Sequence, residues 1–330
     1  MSKKIEDLHG VIVGLGSIGN RHLNNLIGLG VKNLSVVRRA SSTNSHFAVP
    51  PGVTTYHCSE EAITTSPDFV IICNPSHLHA QTAIEYLKAG VHVLIEKPLG
   101  KEIGPAEQEL IDLAVNSDQI VAMAYCMRFH PAYATAREKV RDGAIGRCLY
   151  AKAWFEGYLP DWHPWEDYKQ SYAALKEQGG GVLRTLDHEL DFLNWVLGPA
   201  ESAIGEAINS DGIGIEADDV AMYLMKHPND VRSHVTTAFC RKPPSRGFEF
   251  VGTEGVISFR HEDGALLLSG GGRSESETVL TTTSDDIAQM YVALLKDFLA
   301  LAFEDSASDS SGLLKDGVNA LQLINQIDAR

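Results

Sequence analysis

The sequence predicts an α/β chain of two domains: a parallel-sheet domain over residues 1–126, and over 127–330 an α/β domain on a large, mostly antiparallel open sheet. Three observations carry this. A β-branched run, Val11-Ile12-Val13, leads through Gly14-Leu15-Gly16-Ser17-Ile18-Gly19 into a helical pattern. Apolar runs of strand length then alternate with helical patterns as far as Cys126, as parallel strands joined by crossover helices do. From Val220 to Phe259, strand patterns follow one another with turn residues between them, as in an antiparallel sheet.

A chain of 330 residues, 44% hydrophobic and 22% charged, is an ordinary globular composition with room for two cores. The net charge of −15 argues against a nucleic-acid or anionic-membrane binder, so any phosphate site has to be local. Cys58, Cys73, Cys126, Cys148 and Cys240 lack Cys-x-x-Cys spacing, which fits neither a disulfide framework nor a zinc site, and no metal is expected. The stretch from Met1 to Asp7 lacks the apolar core of a signal peptide. No run approaches the roughly eighteen apolar residues of a spanning helix, so a cytoplasmic location is expected.

In the first domain, Gly14 makes the turn, Gly16 lets a pyrophosphate approach the backbone, and Gly19 lets the helix lie close on the strand. The helix start at Ser17-Ile18-Gly19 offers unpaired N–H groups and the positive end of the helix dipole to phosphates. A helix to Leu29 follows, closed by Gly30, and then the strand Leu34–Val37. Arg38-Arg39 ends that strand where a site specific for NAD carries an acid. A guanidinium pairs instead with a 2′-phosphate, which favours NADP(H) over NAD(H), and Ser41, Ser42 and Thr43 can add hydroxyl donors.

Phe69–Cys73 reads as a strand covered on both faces and is stopped by Asn74-Pro75. His77 and His79 are two residues apart but have no acidic or cysteine company, so they read as loop and helix start. A helix over 80–89 and a strand over 91–95 deliver Glu96-Lys97-Pro98 to the same sheet edge. There Lys97 can bind a sugar hydroxyl and polarise a reacting C–O bond.

At this point the chain resembles the glucose-fructose oxidoreductase and inositol dehydrogenase (Gfo/Idh/MocA) family. The resemblance rests on the glycine turn, Asn74-Pro75-Ser76-His77-Leu78-His79, Glu96-Lys97-Pro98, Arg128-Phe129-His130-Pro131, and Gly179-Gly180-Gly181 leading to His188. It implies a Rossmann domain, a second α/β domain whose sheet makes a homodimer or homotetramer, and hydride transfer between a nicotinamide and a sugar-like or polyol substrate. It also implies that Lys97 and His188 work on the reacting hydroxyl. The expected cofactor residues are Gly14, Gly16, Ser17, Ile18, Gly19, Arg38, Arg39, Asn74, Pro75, His79 and Glu96. Relatives in the family also include glycosidases that use a transient redox step and cofactor-binding regulators without turnover.

In the second domain, 120–126 reads as the last strand of the first sheet, 128–141 as the crossing helix and 148–155 as the first strand of the new sheet. Tyr158, Trp162, Trp165, Tyr168 and Tyr172, interspersed with Asp161, His163, Asp167 and Lys169, suit either a saccharide pocket or satellite core. The glycine triad precedes a helix over 182–197, whose leucines form a packing stripe while Arg184, His188 and Asp191 share another face. His188 is the candidate general acid/base. The aspartate that many family members place before this histidine is replaced here by Arg184 or, counting from the triad, by Thr185. Arg184 can then bind a substrate carboxylate or phosphate, which extends the expected substrates to a sugar acid or nucleotide sugar. The expected substrate contacts are Lys97, Arg128, Trp162, Trp165, Lys169, Arg184 and His188. Strands over 220–225, 231–239, 248–251 and 256–259, and helices over 287–303 and 316–327, complete the chain.

Overall fold

The structure, a computed structural model, describes residues 3–39, 46–304, 306 and 308–328. In chain order its elements begin with β1 His9–Val13, α1 Ser17–Gly28, β2 Asn33–Val37, β3 Thr54–Tyr56, α2 Ser59–Ile63, β4 Phe69–Ile72, α3 His79–Lys88, β5 His92–Ile95, α4 Pro105–Val115 and β6 Val121–Met123. They continue with α5 Pro131–Arg141, β7 Cys148–Tyr158, α6 Val182–Thr185, α7 His188–Leu197, β8 Ser202–Ile208, β9 Val220–Lys226, β10 Arg232–Ala238, β11 Cys240–Gly252, β12 Gly255–Arg260, β13 Ala265–Gly270 and β14 Glu277–Thr281. Two helices close the chain, α8 Ser284–Phe303 and α9 Leu314–Asp328.

The chain divides into two compact units, one made of the chain up to Cys126 with Tyr291–Val318, the other of Met127–Met290 with the chain from Asn319 onward. The return of residues 291–318 to the first unit does not appear in the expected division at 126/127. Its physical reason is packing and hydrogen bonding. Phe298 and Phe303 of α8 meet the ring of Phe69 on β4, edge to face, and Met123 of β6 donates its N–H to the carbonyl of Gly312 at 2.9 Å.

In the first unit six parallel strands run in the order β3-β2-β1-β4-β5-β6. This is the doubly wound arrangement whose strand order reverses between β1 and β4, the place where such sheets bind ligands outside the carboxyl ends of the strands. β4 is buried along its whole length, as its uninterrupted Phe-Val-Ile-Ile run demands.

In the second unit eight strands run β14-β13-β12-β11-β7-β10-β9-β8, all pairs antiparallel except β7 with β10. Residues alternate between two faces. Ala221, Tyr223, Met225, Val235, Phe248, Phe250, Ile257, Phe259, Leu266 and Leu268 are buried and form the core with Tyr133 of α5 and Phe192 of α7. On the other face Ile204, Ile208, Met222 and Leu224 are about half exposed, with Ile204 directly opposite Leu224.

The expected helix over 182–197 is two helices. α6 ends at Thr185, Leu186 leaves helical geometry (φ −110°, ψ 41°), and α7 begins at His188. Arg184 and His188 therefore do not share a face through one continuous helix. Among the described residues no helix is long and apolar enough to cross a membrane.

Candidate functional site

The glycine turn lies at the β1/β4 reversal. Gly14 has φ +94°, a left-handed conformation that side chains disfavour, and a Cβ there would lie 2.7 Å from the carbonyl oxygen of Cys73. A Cβ on Gly19 would lie 2.0 Å from the carbonyl oxygen of Gly14, so only glycine lets α1 close on the turn. Gly16 differs, because a Cβ there would meet nothing within 4 Å. It opens α1 onto free space, and the N–H groups of the first helical turn, at Ser17, Ile18 and Gly19, have no partner within the helix. An open anion cradle at a helix start fits the diphosphate of a dinucleotide.

Beside it stands the loop after β4. The side-chain amide of Asn74 donates to Thr82 Oγ1 at 2.9 Å, while its Oδ1 is buried with no hydrogen-bond partner. A buried acceptor without a donor is costly in a finished structure, and a ligand N–H or O–H here would satisfy it. Ser76–Leu78 form a short turn of 3-10 helix and His79 opens α3, which agrees with the loop and helix-start reading of His77 and His79.

His79 itself points away from solvent at 2% exposure. Its Nδ1 lies 2.7 Å from the carbonyl oxygen of Pro98 and its Nε2 2.7 Å from that of Asn74. Burial pushes its pKa down, against the opposing pull of those two carbonyls and of Glu96. Expected at the cofactor, His79 instead has both ring nitrogens on backbone. Glu96, also expected at the cofactor, is 8% exposed, and its carboxylate takes a hydrogen bond from His22 Nε2 on α1 at 2.7 Å. Lys97, next in the chain, is half-buried at the end of β5.

Arg38 follows β2 directly, half-buried, with its Nη1 donating to the carbonyl of Phe47 at 3.2 Å, and Arg39 is exposed. Ser41, Ser42 and Thr43 lie outside the described residues.

In the second unit His188 is the first residue of α7 and half-buried. The turn before α6, the short helix that precedes it, is built by the glycine triad. A Cβ on Gly180 would sit 2.2 Å from the carbonyl oxygen of Tyr172, and one on Gly181 2.1 Å from Asp218 Oδ1. Asp218 in turn accepts the N–H of Leu183 at 2.9 Å, and burial raises its pKa.

Arg128 and Arg184, both expected on the substrate, each have a carboxylate partner in the structure. Arg128, 3% exposed, forks onto Asp191 of α7, with Nε 2.9 Å from Oδ2, and its guanidinium lies over the ring of Trp195. Arg184, 5% exposed, pairs with Asp328 of α9 at 2.7 Å. Desolvated guanidinium groups need such carboxylate partners. Trp162 stacks on Phe155 of β7, rings 5.9 Å apart and nearly coplanar, and meets Phe239 edge-on, so it pins its loop to the sheet as satellite core. Trp165 is exposed and stacked on His163, and Lys169 is exposed beside the ring of Tyr168.

Sequence reasoning passed over His22 and Asp328. Helical spacing puts His22 beside Leu23 and Leu26 on the buried face of α1, and a histidine on such a face was the available signal.

A family model described as an oxidoreductase family with an NAD-binding Rossmann fold matches residues 8–125, and the GFO/IDH/MocA C-terminal domain matches 133–258. The chain belongs to the Gfo/Idh/MocA family. Among curated relatives, 1,5-anhydro-D-fructose reductase of Ensifer adhaerens is 27% identical over 233 residues, 69% of this chain and 68% of that protein. Levoglucosan dehydrogenase of Pseudarthrobacter phenanthrenivorans is 29% identical over 232 residues, 61% of this chain but only 58% of its own length. A solved structure of levoglucosan dehydrogenase with NADH and levoglucosan has a TM-score of 0.84 at 19% identity, covering 98% of this chain and 96% of that one. The fold of that structure therefore extends over 98% of this chain.

Proposed function

We propose that this Gfo/Idh/MocA chain is a nicotinamide-dependent dehydrogenase or reductase acting on a hydroxyl or carbonyl carbon of a sugar or sugar derivative. The observation that carries the reading is the open helix start at Gly16 on the β1/β4 reversal, with Lys97 at the end of the next strand, β5. Relatives named for 1,5-anhydro-D-fructose and levoglucosan support a carbohydrate substrate.

Gly14, Gly16, Ser17, Ile18 and Gly19 would hold the diphosphate, and Asn74 Oδ1 would accept a hydrogen bond from the cofactor. The bound nicotinamide supplies the two-electron exchange. Lys97 donates a hydrogen bond to the reacting oxygen and stabilises negative charge as it grows there. His188 takes the hydroxyl proton when the substrate is oxidised and returns it when the substrate is reduced. Arg38, in the place of an acid, favours a cofactor bearing a 2′-phosphate. The half-exposed row Ile204, Ile208, Met222 and Leu224 on the eight-stranded sheet favours burial against a second copy of the chain.

The test is a fluorescence titration with NADPH and with NADH, followed by nicotinamide absorbance in a screen of anhydro sugars, polyols, sugar acids and nucleotide sugars. Tighter NADPH binding that Arg38→Ala abolishes supports the 2′-phosphate assignment. Tighter NADH binding overturns that assignment and leaves the dehydrogenase. Binding of neither overturns the enzyme.

A further inference from the structure

The backbone of Glu96-Lys97-Pro98 is held from two helices by buried histidines. From α1, His22 Nε2 donates to Glu96 Oε1 at 2.7 Å, and the other oxygen of the same carboxylate, Oε2, accepts the N–H of Lys97 at 3.3 Å. From α3, His79 Nδ1 meets the carbonyl oxygen of Pro98 at 2.7 Å while its Nε2 meets that of Asn74. His22 is fully buried, its Nδ1 has no hydrogen-bond partner, and Tyr291 lies edge-on to its ring with centroids 6.3 Å apart. A histidine that leaves one buried nitrogen unsatisfied is poor packing filler, because an apolar ring would fill the space without that penalty. What the imidazole adds is a directed donor to Glu96.

We infer that His22 and His79 are positioning residues for Lys97. His22 orients the Glu96 carboxylate, which fixes the Lys97 N–H, and His79 fixes the following carbonyl, so the lysine side chain leaves a backbone clamped on both sides. The same clamp joins the glycine helix, the Asn74 loop and the lysine turn of the first unit into one piece. The inference rests on Lys97 acting at the reacting oxygen, as proposed above. A misplacement of about 1 Å at such a group can cost roughly a hundredfold in rate.

The experiment follows Lys97 itself. Lysines of the whole protein are reductively methylated with 13C-formaldehyde, the Lys97 signal is assigned by its loss in Lys97→Arg, and its chemical shift and titration midpoint are read without any substrate. In His22→Leu the Glu96 carboxylate loses its orienting donor. The Lys97 signal is then expected to shift and its midpoint to move by about half a pH unit or more. His22→Gln, whose amide can donate from nearly the same place, is expected to restore both. His22→Phe keeps a flat ring and removes the donor should His22→Leu fail to fold, and the signal is again expected to move. His79→Leu is expected to move it from the other side. With a turned-over sugar in hand, kcat falls at least tenfold in His22→Leu while the KM for the nicotinamide cofactor stays within about twofold. A Lys97 signal that keeps its native shift and midpoint in His22→Leu, or in His22→Phe should His22→Leu fail to fold, overturns the inference. Loss of nucleotide binding or turnover in the unsubstituted protein overturns the proposed function instead, and is read separately.

Discussion

Gly16 and Gly19 sit three residues apart in one motif and do opposite things. A methyl group on Gly19 collides with the backbone of Gly14, whereas one on Gly16 meets only open space. Gly19→Ala is therefore expected to lower both the melting temperature and cofactor affinity. Gly16→Ala leaves the melt within a degree or two of native but weakens NADH or NADPH binding at least tenfold, because the methyl stands where a phosphate would approach. Differential scanning fluorimetry beside a nucleotide titration separates the two. Lys97→Met is expected to lower kcat/KM by about a hundredfold or more with nucleotide affinity little changed, as measured by steady-state kinetics and the same titration.

At this scale the sequence was legible wherever one residue type answers one backbone demand, as at the glycines. It was opaque where a side chain's partner lies far along the chain. Nothing near Arg184 in the sequence announces Asp328 as its partner, and nothing near Glu96 announces His22. No spacing rule links residues 144 or 74 positions apart.

Among elements, α6 and α7 show why a correct periodicity can mislead. Leu183, Leu186, Leu190 and Leu193 are all buried, so the apolar stripe runs unbroken across a chain that leaves helical geometry at Leu186. Periodicity reports which residues face a core, and a two-residue turn conserves that face. Strand β8 was missed for the converse reason: its apolar Ile204 and Ile208 point outward, and its core-facing positions include the small Ala203 and Gly205.

Helix α7 is tied to the segment before α5 by the Arg128–Asp191 fork. Removing one partner strands a desolvated charge, which typically costs 3–5 kcal/mol. Asp191→Leu is accordingly expected to lower the melting temperature by about 10 °C. Arg128→Met together with Asp191→Leu should cost much less than the two single losses added, as a double-mutant cycle in urea would measure.

The molecule as a whole carries an acid liability. In the second unit burial and the nearby Arg246 guanidinium push His130 down to about 4 and His261 to about 3, from an ordinary value near 6.5. Both are neutral in the folded state at pH values where the unfolded chain has already taken up protons. Their contribution is complete above about pH 6.5 and is lost as the pH falls toward about 4 for His130 and about 3 for His261, and for His130 it amounts to a few kcal/mol. Urea midpoints are expected to fall steeply between pH 6.5 and 4.5. His130→Asn, which keeps an acceptor for the Ala132 N–H that His130 now caps, should flatten that fall.

The outer face of the eight-stranded sheet gives the last prediction. If Ile204, Ile208, Met222 and Leu224 pair with a second copy, Met222→Glu with Leu224→Lys yields a species of half the mass or less by sedimentation, with cofactor binding retained. A native chain that sediments as a monomer overturns that pairing.

The two-piece construction of the first unit also sets an order of events during synthesis. Phe69 leaves the ribosome with the parallel sheet, but the rings that cover it, Phe298 and Phe303, and the Gly312 carbonyl that receives Met123, are translated only after the whole eight-stranded sheet. At about 5–20 residues per second, the nascent sheet waits about ten to forty seconds with that side uncovered. Over that interval a chaperone that recognises exposed apolar surface has a binding window on the nascent chain, which closes when α8 emerges.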